Sequence, residues 1–346
     1  MDNSFFVFTD KKSVIDIERF HICTWEFHNN TSLVEFGMEI SKDSLQGDEL
    51  SISMYIPWFT KECTTKDLYE KLSIPENSRF IFNDSVSGTD SLDGGKNKLG
   101  VIQKFADRKQ LCILPLKFDT SENKVVTIKA NLRPYNSYIA TTKPNIYLRF
   151  WINPNTSHIS MRKNGIGKST VIYDIKVNER RNIPDELLSY FDDKQLCKIG
   201  TCFSFNIIPN KYDLVFFDSS SLKNIRTLEY DSFNKYLGDK RVKKDELIVV
   251  FNKKQNSESF SFFSIFSRER IGPGQFALAV LMNILCGILL FIPSYRKSFS
   301  PELDLVSVWK ELPFEIYLSS LIALATVLYF IWPWIIGKLW FNSKQK

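Results

Sequence analysis

The segment most similar to a phosphate-binding motif lies near the middle of the chain. Residues 163–170 read Lys-Asn-Gly-Ile-Gly-Lys-Ser-Thr, which includes the Gly-Lys-Ser ending of a P-loop. A complete P-loop has a glycine five positions before Gly167, where this chain has Arg162, and a helix directly after it. Residues 171–177 instead alternate as a strand does, and Asn164-Gly165 is a typical two-residue β-turn. We therefore predict a β-hairpin here and not a nucleoside triphosphatase site.

No other arrangement in the sequence is typical of an active site or a metal centre. The three histidines, His21, His28 and His158, lie far apart and have no partner at metal-ligand spacing. The chain also lacks the Gly-x-Ser-x-Gly turn of a serine hydrolase. A pair that is distant in sequence, such as Cys112 with His158, stays open, but nothing marks it out. We therefore predict that the protein is not an enzyme and needs no metal or cofactor.

Basic and aromatic residues occur together around Arg149 and in the segments on either side of it. Cationic side chains contact phosphates and aromatic rings stack on bases, so this composition suits a nucleotide or a single-stranded oligonucleotide. Solvated strand faces have a similar composition, which is the alternative interpretation. The predicted ligand-binding residues are Arg133, Tyr135, Arg149, Trp151, Arg162, Lys163 and Lys168.

Apolar and polar residues alternate with a period of two through most of the chain before residue 255, as in strands with one buried face. Helical signals are few and short, so the alternation of strands and helices that a doubly wound fold requires is absent. We predict a mostly β fold, either an antiparallel β-sandwich or a partly closed barrel. The predicted strands are Leu50–Ile56, Val126–Leu132, Ile146–Ile152, Val171–Val177, His21–Phe27, Leu33–Ile40, Leu111–Phe118, Cys202–Ile208, Leu214–Phe217 and Leu247–Phe251.

The predicted β-rich, ligand-binding domain covers residues 1–258. Its polar segment 83–98 either divides two subdomains or forms a long loop within one. Residues 259–275 are predicted as a joint, because Gly272-Pro273-Gly274 interrupts regular structure. The aromatic cluster at 260–266 within this joint suits either a membrane interface or a last strand of the sheet.

Two long apolar runs predict a transmembrane hairpin over residues 276–341. Residues 276–292 and 316–337 contain no charged side chain. At about 1.5 Å per residue they span about 26 and 33 Å, and the hydrocarbon core of a bilayer is about 30 Å thick. The chain begins without the pattern of a signal peptide, so we expect both termini to lie in the cytosol.

Small and polar residues share one face of each apolar run. An amide facing lipid near the middle of the bilayer is costly, so Asn283 is expected to face another helix, a neighbouring subunit or water. Packing of the two helices on each other is the alternative to an oligomeric pore. The predicted pore or helix-packing residues are Ala279, Asn283 and Gly287 in the first run and Ser319, Ala323 and Thr326 in the second.

Charge and cysteine content indicate the surroundings of the protein. A formal net charge of +6 favours anionic partners such as phosphate groups, nucleic acid or the inner leaflet of a membrane. The six cysteines contain no Cys-x-x-Cys pair, which is typical of free thiols in a reducing compartment.

A β domain followed by a glycine-containing joint and two apolar helices with a polar stripe is similar to the membrane effectors of bacterial anti-phage signalling systems, including the CBASS and Hailong types. The resemblance covers the layout of the whole chain and involves no specific motif. It implies a homo-oligomer, with a tetramer favoured, in the bacterial inner membrane. It also implies an ion channel or membrane-disrupting pore that responds to a nucleotide or oligonucleotide made by a partner enzyme. The alternative is a membrane-tethered interaction scaffold without a pore, and a membrane-bound hydrolase is a third possibility.

Overall fold

The computed structural model describes residues 3–28, 31–139, 142–154, 159–164, 168–244, 246–269, 273–298, 314, 316–325 and 328. The chain divides into two compact units. The first comprises residues 1–163 and 170–268, and the second comprises residues 164–169 and 269–346. The first unit contains two large β-sheets, and the second contains the C-terminal apolar segments.

Nineteen strands and six α-helices form within the described residues before residue 299, and a further apolar helix, Ile316–Ala325, follows them. The strands are β1 (Ser4–Asp10), β2 (Asp16–Glu26), β3 (Ser32–Ile40), β4 (Glu49–Tyr55), β5 (Thr64–Asp67), β6 (Val86–Ser91), β7 (Val101–Phe105), β8 (Leu111–Ile113), β9 (Lys117–Asp119), β10 (Val125–Asn131), β11 (Asn145–Asn153), β12 (Met161–Asn164), β13 (Lys168–Val177), β14 (Lys194–Leu196), β15 (Lys198–Pro209), β16 (Asp213–Phe217), β17 (Leu222–Thr227), β18 (Leu247–Gln255) and β19 (Phe260–Glu269). The helices are α1 (Tyr69–Leu72), α2 (Pro75–Phe82), α3 (Arg133–Ser137), α4 (Asp185–Leu188), α5 (Tyr230–Leu237) and α6 (Pro273–Ser298).

The strands form one sheet of nine and one sheet of ten. The nine-stranded sheet has the order β16-β19-β13-β1-β4-β10-β9, with β12 beside β13 and β14 beside β1. The ten-stranded sheet has the order β17-β18-β15-β2-β3-β11-β8-β7-β6, with β5 beside β11. Neither path closes on itself within the described residues, so the arrangement is two open sheets and not a barrel.

The prediction of a mostly β fold is confirmed, and each predicted strand segment contains a strand. The prediction that the sheets are antiparallel is wrong for three pairs, because β1 with β13, β2 with β15, and β8 with β11 run parallel. Parallel neighbours need long crossover connections and occur where both faces of a sheet are covered. The local alternation that identifies a strand carries no information about the direction of its neighbour.

The two sheets pack face to face around the main hydrophobic core. Alternate residues of β1, Phe5 and Val7, and of β2, Phe20 and Ile22, point into this layer and are buried. Phe36 of β3 lies at its centre, with its ring centroid 5.5 Å from that of Phe5 in an edge-to-face arrangement. A period of two therefore places one side of each strand between the sheets.

The outer faces of both sheets are also partly covered. Phe6 and Phe8 of β1 point away from the main core and pack with Leu187 of α4. On the outer face of the ten-stranded sheet, residues of α1 and α5, including Leu72 and Tyr236, pack on strand residues such as Tyr147. The first unit thus has a helical layer on the outside of the ten-stranded sheet.

Three segments that the sequence left open have definite structures. Strand β6 lies within the polar segment 83–98 and pairs with β7 in the ten-stranded sheet. The aromatic cluster at 260–266 belongs to β19, which pairs with β16, so the strand alternative holds there. The predicted hairpin consists of β12 and β13, and its turn at 165–167 lies outside the described residues.

The second unit contains a helix that is long and apolar enough to cross a membrane. Its 18-residue stretch Gly274–Phe291 has a mean hydropathy of 2.1. Large apolar side chains such as Leu289 and Leu290 are mostly exposed along α6, as expected of a helix that faces lipid. Of the second predicted run, the described part is the shorter apolar helix Ile316–Ala325, so the two-helix hairpin is described only in part.

The predicted pore or packing residues are partly visible in this unit. Ala279, Asn283 and Gly287 are exposed along α6, and a Cβ added at Gly287 would have nothing within 4 Å. The other three belong to the second run: Ser319 is half-buried, Ala323 is buried, and Thr326 lies outside the described residues.

Replacing Phe36 with alanine should destabilise the first unit strongly, because the ring is fully buried between the sheets. We expect a loss of about 3–5 kcal/mol in the free energy of unfolding, which thermal denaturation of the full chain in detergent would detect as a lower melting temperature. Phe216→Ala is the matched control, because this ring is 52% exposed on β16 at the edge of its sheet. Equal shifts for the two variants would contradict the core assignment.

Candidate functional site

A cavity of about 360 Å³ lies on the outer face of the ten-stranded sheet. Its floor comes from β2, β11, β15, β17 and β18, and its remaining walls come from α2, α5 and the connection that carries Arg108. The lining residues are Arg19, His21, Cys23, Trp25, Phe80, Ile81, Phe82, Asn83, Arg108, Tyr147, Arg149, Phe203, Phe205, Ile207, Asn224, Arg226, Phe233, Val249 and Phe251.

The strand pleat explains how residues far apart in sequence meet here. Odd-numbered residues of β2, from Arg19 to Trp25, face the cavity, while Phe20 and Ile22 face the main core. Strand β15 pairs with β2 in parallel and with β18 in antiparallel register. This pairing brings Phe205 opposite Phe251 on the cavity side. One face of three adjacent strands therefore forms most of the floor.

Arg19 and Arg108 give the cavity positive charge at one side. Both approach the same carboxylate oxygen of Glu39, at 3.6 Å and 3.2 Å respectively. The Arg108 guanidinium also lies over the rings of Phe82 and Phe105, at 4.9 and 5.2 Å from their centroids. Two cations share one carboxylate, so this pair retains a net positive charge.

Arg226 of β17 supplies a cation at another part of the wall. Among the described residues it forms an ion pair with Glu229, at 3.3 Å, and both side chains are about half-exposed. Such a pair contributes little to stability, so Arg226 is available to an anionic ligand at small cost. The carboxylates that pair with the cavity arginines do not line it, and no Asp or Glu is present among the described lining residues.

Arg149 and Glu35 form a buried ion pair in the floor. Glu35 is fully buried, and its Oε2 accepts hydrogen bonds from Nε and Nη2 of Arg149 at 2.9 and 2.6 Å. Trp25 and Tyr236 donate to the same carboxylate at 2.9 and 3.1 Å. Burial alone would lower the pKa of Arg149, but Tyr236, Tyr147 and Glu35 raise it above its ordinary value. The guanidinium is therefore permanently charged and structurally fixed.

Aromatic rings form a row across the cavity floor. The rings of Phe205 and Phe251 are parallel within 4°, with centroids 4.7 Å apart. Phe203 lies 5.9 Å from Phe251 at an interplanar angle of 15°, and His21 lies 4.8 Å from Phe203. The three phenylalanines are only half-buried. A planar base can extend such a stack, and base–aromatic stacking contributes about 1–3 kcal/mol per base.

The described lining residues of the cavity include no thiolate at neutral pH. Cys23 is the thiol among its lining residues, and burial raises the pKa of this thiol to about 12, so it is not a thiolate at neutral pH. The described residues contain no group of three His, Cys, Asp or Glu side chains that could hold a metal ion. What the arrangement offers is positive charge beside stacked rings.

The structure places two of the predicted ligand-binding residues near this cavity. Arg149 lines it, but as a buried partner of Glu35 and not on the solvated strand face that the alternation suggests. The physical reason is that α5 covers that face, with Tyr236 lying against the guanidinium. Trp151 is on the same face of β11 and is half-buried, and Lys66 lies 6.0 Å from its ring centroid.

The other predicted residues lie outside the cavity. Arg133 is exposed and pairs with Asp48 at 3.1 Å, and Tyr135 is buried with its hydroxyl donating to Pro144 O. The remaining three belong to the β12–β13 hairpin, where Lys163 and Lys168 are exposed and Arg162 pairs with the buried Glu26.

Of the sequence-distant cysteine–histidine pair, only the cysteine lies among the described residues. Cys112 is fully buried in the main core, and burial raises the pKa of its thiol far above the ordinary value. His158 lies outside the described residues.

Sequence reasoning missed Arg19, His21, Arg108, Arg226 and the phenylalanine row. The signal that was present is the Phe-Ser-Phe-Asn run at 203–206, in which aromatic and polar residues alternate. Read by the usual rule, Phe203 and Phe205 would point into the core. In the structure both phenylalanines face the cavity, whereas Ser204 and Asn206 are buried on the opposite face of β15.

Comparisons with known proteins leave the family of this chain open. No protein-family model and no curated protein matches it. Among solved structures, it is similar to a protein from Parabacteroides distasonis described as a candidate protease, with 12% sequence identity and a TM-score of 0.28. The alignment covers 83% of this chain, which spans about half (47%) of that protein. A likeness of this size supports no conclusion about activity.

Glu35→Gln should destabilise the first unit, because it leaves the buried Arg149 without a counter-charge. Breaking a buried ion pair by removing one partner costs about 3–5 kcal/mol, which thermal denaturation of the full chain would report. Glu229→Gln removes the half-exposed partner of Arg226 and should change stability by less than about 1 kcal/mol. A harmless Glu35→Gln substitution would show that the floor of the cavity is not held by this ion pair.

Proposed function

We propose that this chain is a membrane effector whose β-rich unit binds a nucleotide or oligonucleotide in the arginine- and phenylalanine-lined cavity. Ligand binding would control the apolar C-terminal part of the chain, which forms an oligomeric ion pathway or disrupts the membrane. The observation that carries the proposal is the cavity itself, because cations and stacked rings occur together in it and none of its described lining residues is a carboxylate.

The chemistry of the cavity favours this ligand class over a plain anion or an apolar molecule. Arg19, Arg108 and Arg226 are suited to phosphate oxygens, since a guanidinium donates in a planar fork that matches them. The row formed by Phe203, Phe205 and Phe251 is suited to a flat base. A phosphate alone would leave the rings exposed to water, and an apolar ligand would leave the cations without a partner.

The chain path supports a link between this cavity and the membrane segment. Strand β18 carries Val249 and Phe251 of the cavity lining. It is followed directly by β19, which belongs to the other sheet, and α6 begins at Pro273, four residues after β19 ends at Glu269. A change in β18 on ligand binding therefore has a short covalent route to the apolar helix.

The layout supplies the biological setting of the proposal. The chain resembles membrane effectors of bacterial anti-phage signalling systems, so we propose that it acts in such a defence system at the bacterial inner membrane. Its expected partners are further copies of the same chain, with a tetramer favoured, and an enzyme that makes the nucleotide signal. Both termini would lie in the cytosol, on the side where the signal is made.

Nucleotide binding can be measured by isothermal titration calorimetry with the full chain in detergent, using the four ribonucleoside triphosphates and cyclic dinucleotides as probes. We expect at least one probe to bind, with an affinity that falls as salt is added. Arg226→Ala should weaken that binding by about tenfold or more, and Phe251→Ala by a similar factor through lost stacking.

Arg133→Ala is the matched control for these variants. It removes an exposed arginine whose pair with Asp48 resembles that of Arg226 with Glu229, but it lies outside the cavity. Its affinity should equal that of the unmodified chain. If Arg133→Ala weakened binding and Arg226→Ala did not, the ligand site would lie on the surface that the sequence pattern indicated and not in the cavity.

Ion flux from liposomes tests the membrane part of the proposal. With the chain inserted, we expect an ion release that differs between the probe-bound and the probe-free protein. Asn283→Leu should abolish this release without preventing insertion, because the polar stripe is lost. Met282→Leu, at the neighbouring exposed apolar position, should leave flux unchanged. Unchanged flux in Asn283→Leu would contradict a pore role for this residue, and a scaffold that is merely anchored would release no ions at any probe concentration.

A further inference from the structure

Gly37 of β3 lies where two cavity side chains meet above the sheet. In the strand register it is opposite His21 of β2 on one side and Arg149 of β11 on the other. A Cβ added here would overlap the hydroxyl of Tyr147 and would lie 3.2 Å from Nδ1 of His21. A glycine inside a strand often indicates such a close approach. Because glycine has no side chain, there is room at this position for the hydrogen bond between the Tyr147 hydroxyl and Nδ1 of His21, at 3.2 Å.

The direction of this hydrogen bond follows from the contacts of Tyr147. Its oxygen accepts a hydrogen bond from Nη1 of Arg149 at 3.0 Å, and the residue is fully buried. A buried hydroxyl proton needs an acceptor, and among the described residues Nδ1 of His21 is the acceptor that it reaches. Tyr147 therefore donates to Nδ1, so the neutral imidazole carries its proton on Nε2.

The surroundings also fix the charge of His21. Burial, with the positive charges of Arg149, Arg19 and Arg108, lowers the pKa of His21 well below its ordinary value. The neighbouring rings on β15, Phe203 and Phe205, carry no charge that would oppose this. Nε2 has no hydrogen-bond partner among the described residues, and His21 is one of the residues that line the cavity. The imidazole thus presents a single neutral donor.

We propose that His21 selects the base of the ligand, its Nε2–H donating a hydrogen bond to N7 of a purine that stacks beside Phe203. The inference rests on the proposed function, since it takes this cavity as the nucleotide site. Three arginines already provide charged donors for phosphate, whereas a neutral imidazole suits an uncharged acceptor. Adenine and guanine both present N7 as an acceptor, and the corresponding edge of a pyrimidine has a carbon there.

The protonation state can be tested without knowing the ligand. The chain has only three histidines, so two-bond proton–nitrogen spectra of the ¹⁵N-histidine-labelled full chain in detergent resolve them, and His21→Ala identifies the signal of His21. We expect Nδ1 to be unprotonated and Nε2 to be protonated, and this state to persist as the pH falls through about 6.5, where a free histidine is half-protonated. Tyr147→Phe should abolish the preference for one tautomer. An imidazolium at neutral pH, or a proton on Nδ1, would overturn the proposal.

The base contact is tested by comparing ATP and GTP with their 7-deaza analogues, in which a carbon replaces N7. The unmodified chain should bind the natural nucleotide about 3- to 10-fold more tightly than its analogue, the range expected for one neutral hydrogen bond. His21→Ala should bind both equally. His28→Ala, which removes a histidine paired with Glu246 outside the cavity, should keep the full difference.

The outcomes separate this inference from the proposed function. Equal binding of nucleotide and analogue by the unmodified chain, or a difference that persists in His21→Ala, overturns the role of His21 and leaves the cavity as a nucleotide site. If the chain binds pyrimidine nucleotides but neither ATP nor GTP, the role of His21 is likewise overturned and the cavity remains a nucleotide site. A chain that binds none of the triphosphates and none of the cyclic dinucleotides overturns both.

Discussion

The burial of one carboxylate, that of Glu35, is the constraint on which the organisation of the cavity depends. A charged group that is removed from water must be paired and hydrogen-bonded, or the fold loses several kcal/mol. Glu35 receives two hydrogen bonds from Arg149 and one each from Trp25 and Tyr236. These donors come from β11, β2 and α5, so the ion pair joins the sheet to the helix that covers it.

The remaining polar geometry follows from this pair. Because Arg149 is held by Glu35, its free Nη1 points at the hydroxyl of Tyr147, and Tyr147 in turn sets the tautomer of His21. Through these contacts the buried ion pair orients one neutral donor, Nε2–H of His21, in the cavity floor. Hydrogen bonds in a low-dielectric interior polarise one another, so we expect a change at Glu35 to alter the hydrogen bond between Tyr147 and His21.

The sequence predicts the strands well because their period of two is a local property, but it does not predict what covers each face. Arg149 illustrates the limit: its position on the non-core face of β11 follows from the alternation of Ile146, Leu148 and Phe150. Helix α5 begins some eighty residues later and covers this face. The alternation does not predict this, because it depends on tertiary packing. The two apolar runs are recognisable because the hydrophobic requirement of a membrane span is also local, and α6 bears out the first of them by length and composition.

The choice of side chains that β15 turns toward the cavity is the strongest indication that the cavity is not optimised for stability alone. Phe203 and Phe205 are half-buried, so turning either ring inward would gain only part of the about 1.5–3 kcal/mol that full burial of an exposed ring contributes. The chain instead buries Ser204 and Asn206, whose Oγ and Nδ2 atoms have no hydrogen-bond partner among the described residues. The partial exposure of the two rings and the burial of the unpaired polar atoms both destabilise the fold. A sequence that departs from local rules in this way usually does so at a functional site. A ligand that stacks on these half-buried rings would bury their remaining apolar surface, so the orientation of β15 supports the nucleotide proposal.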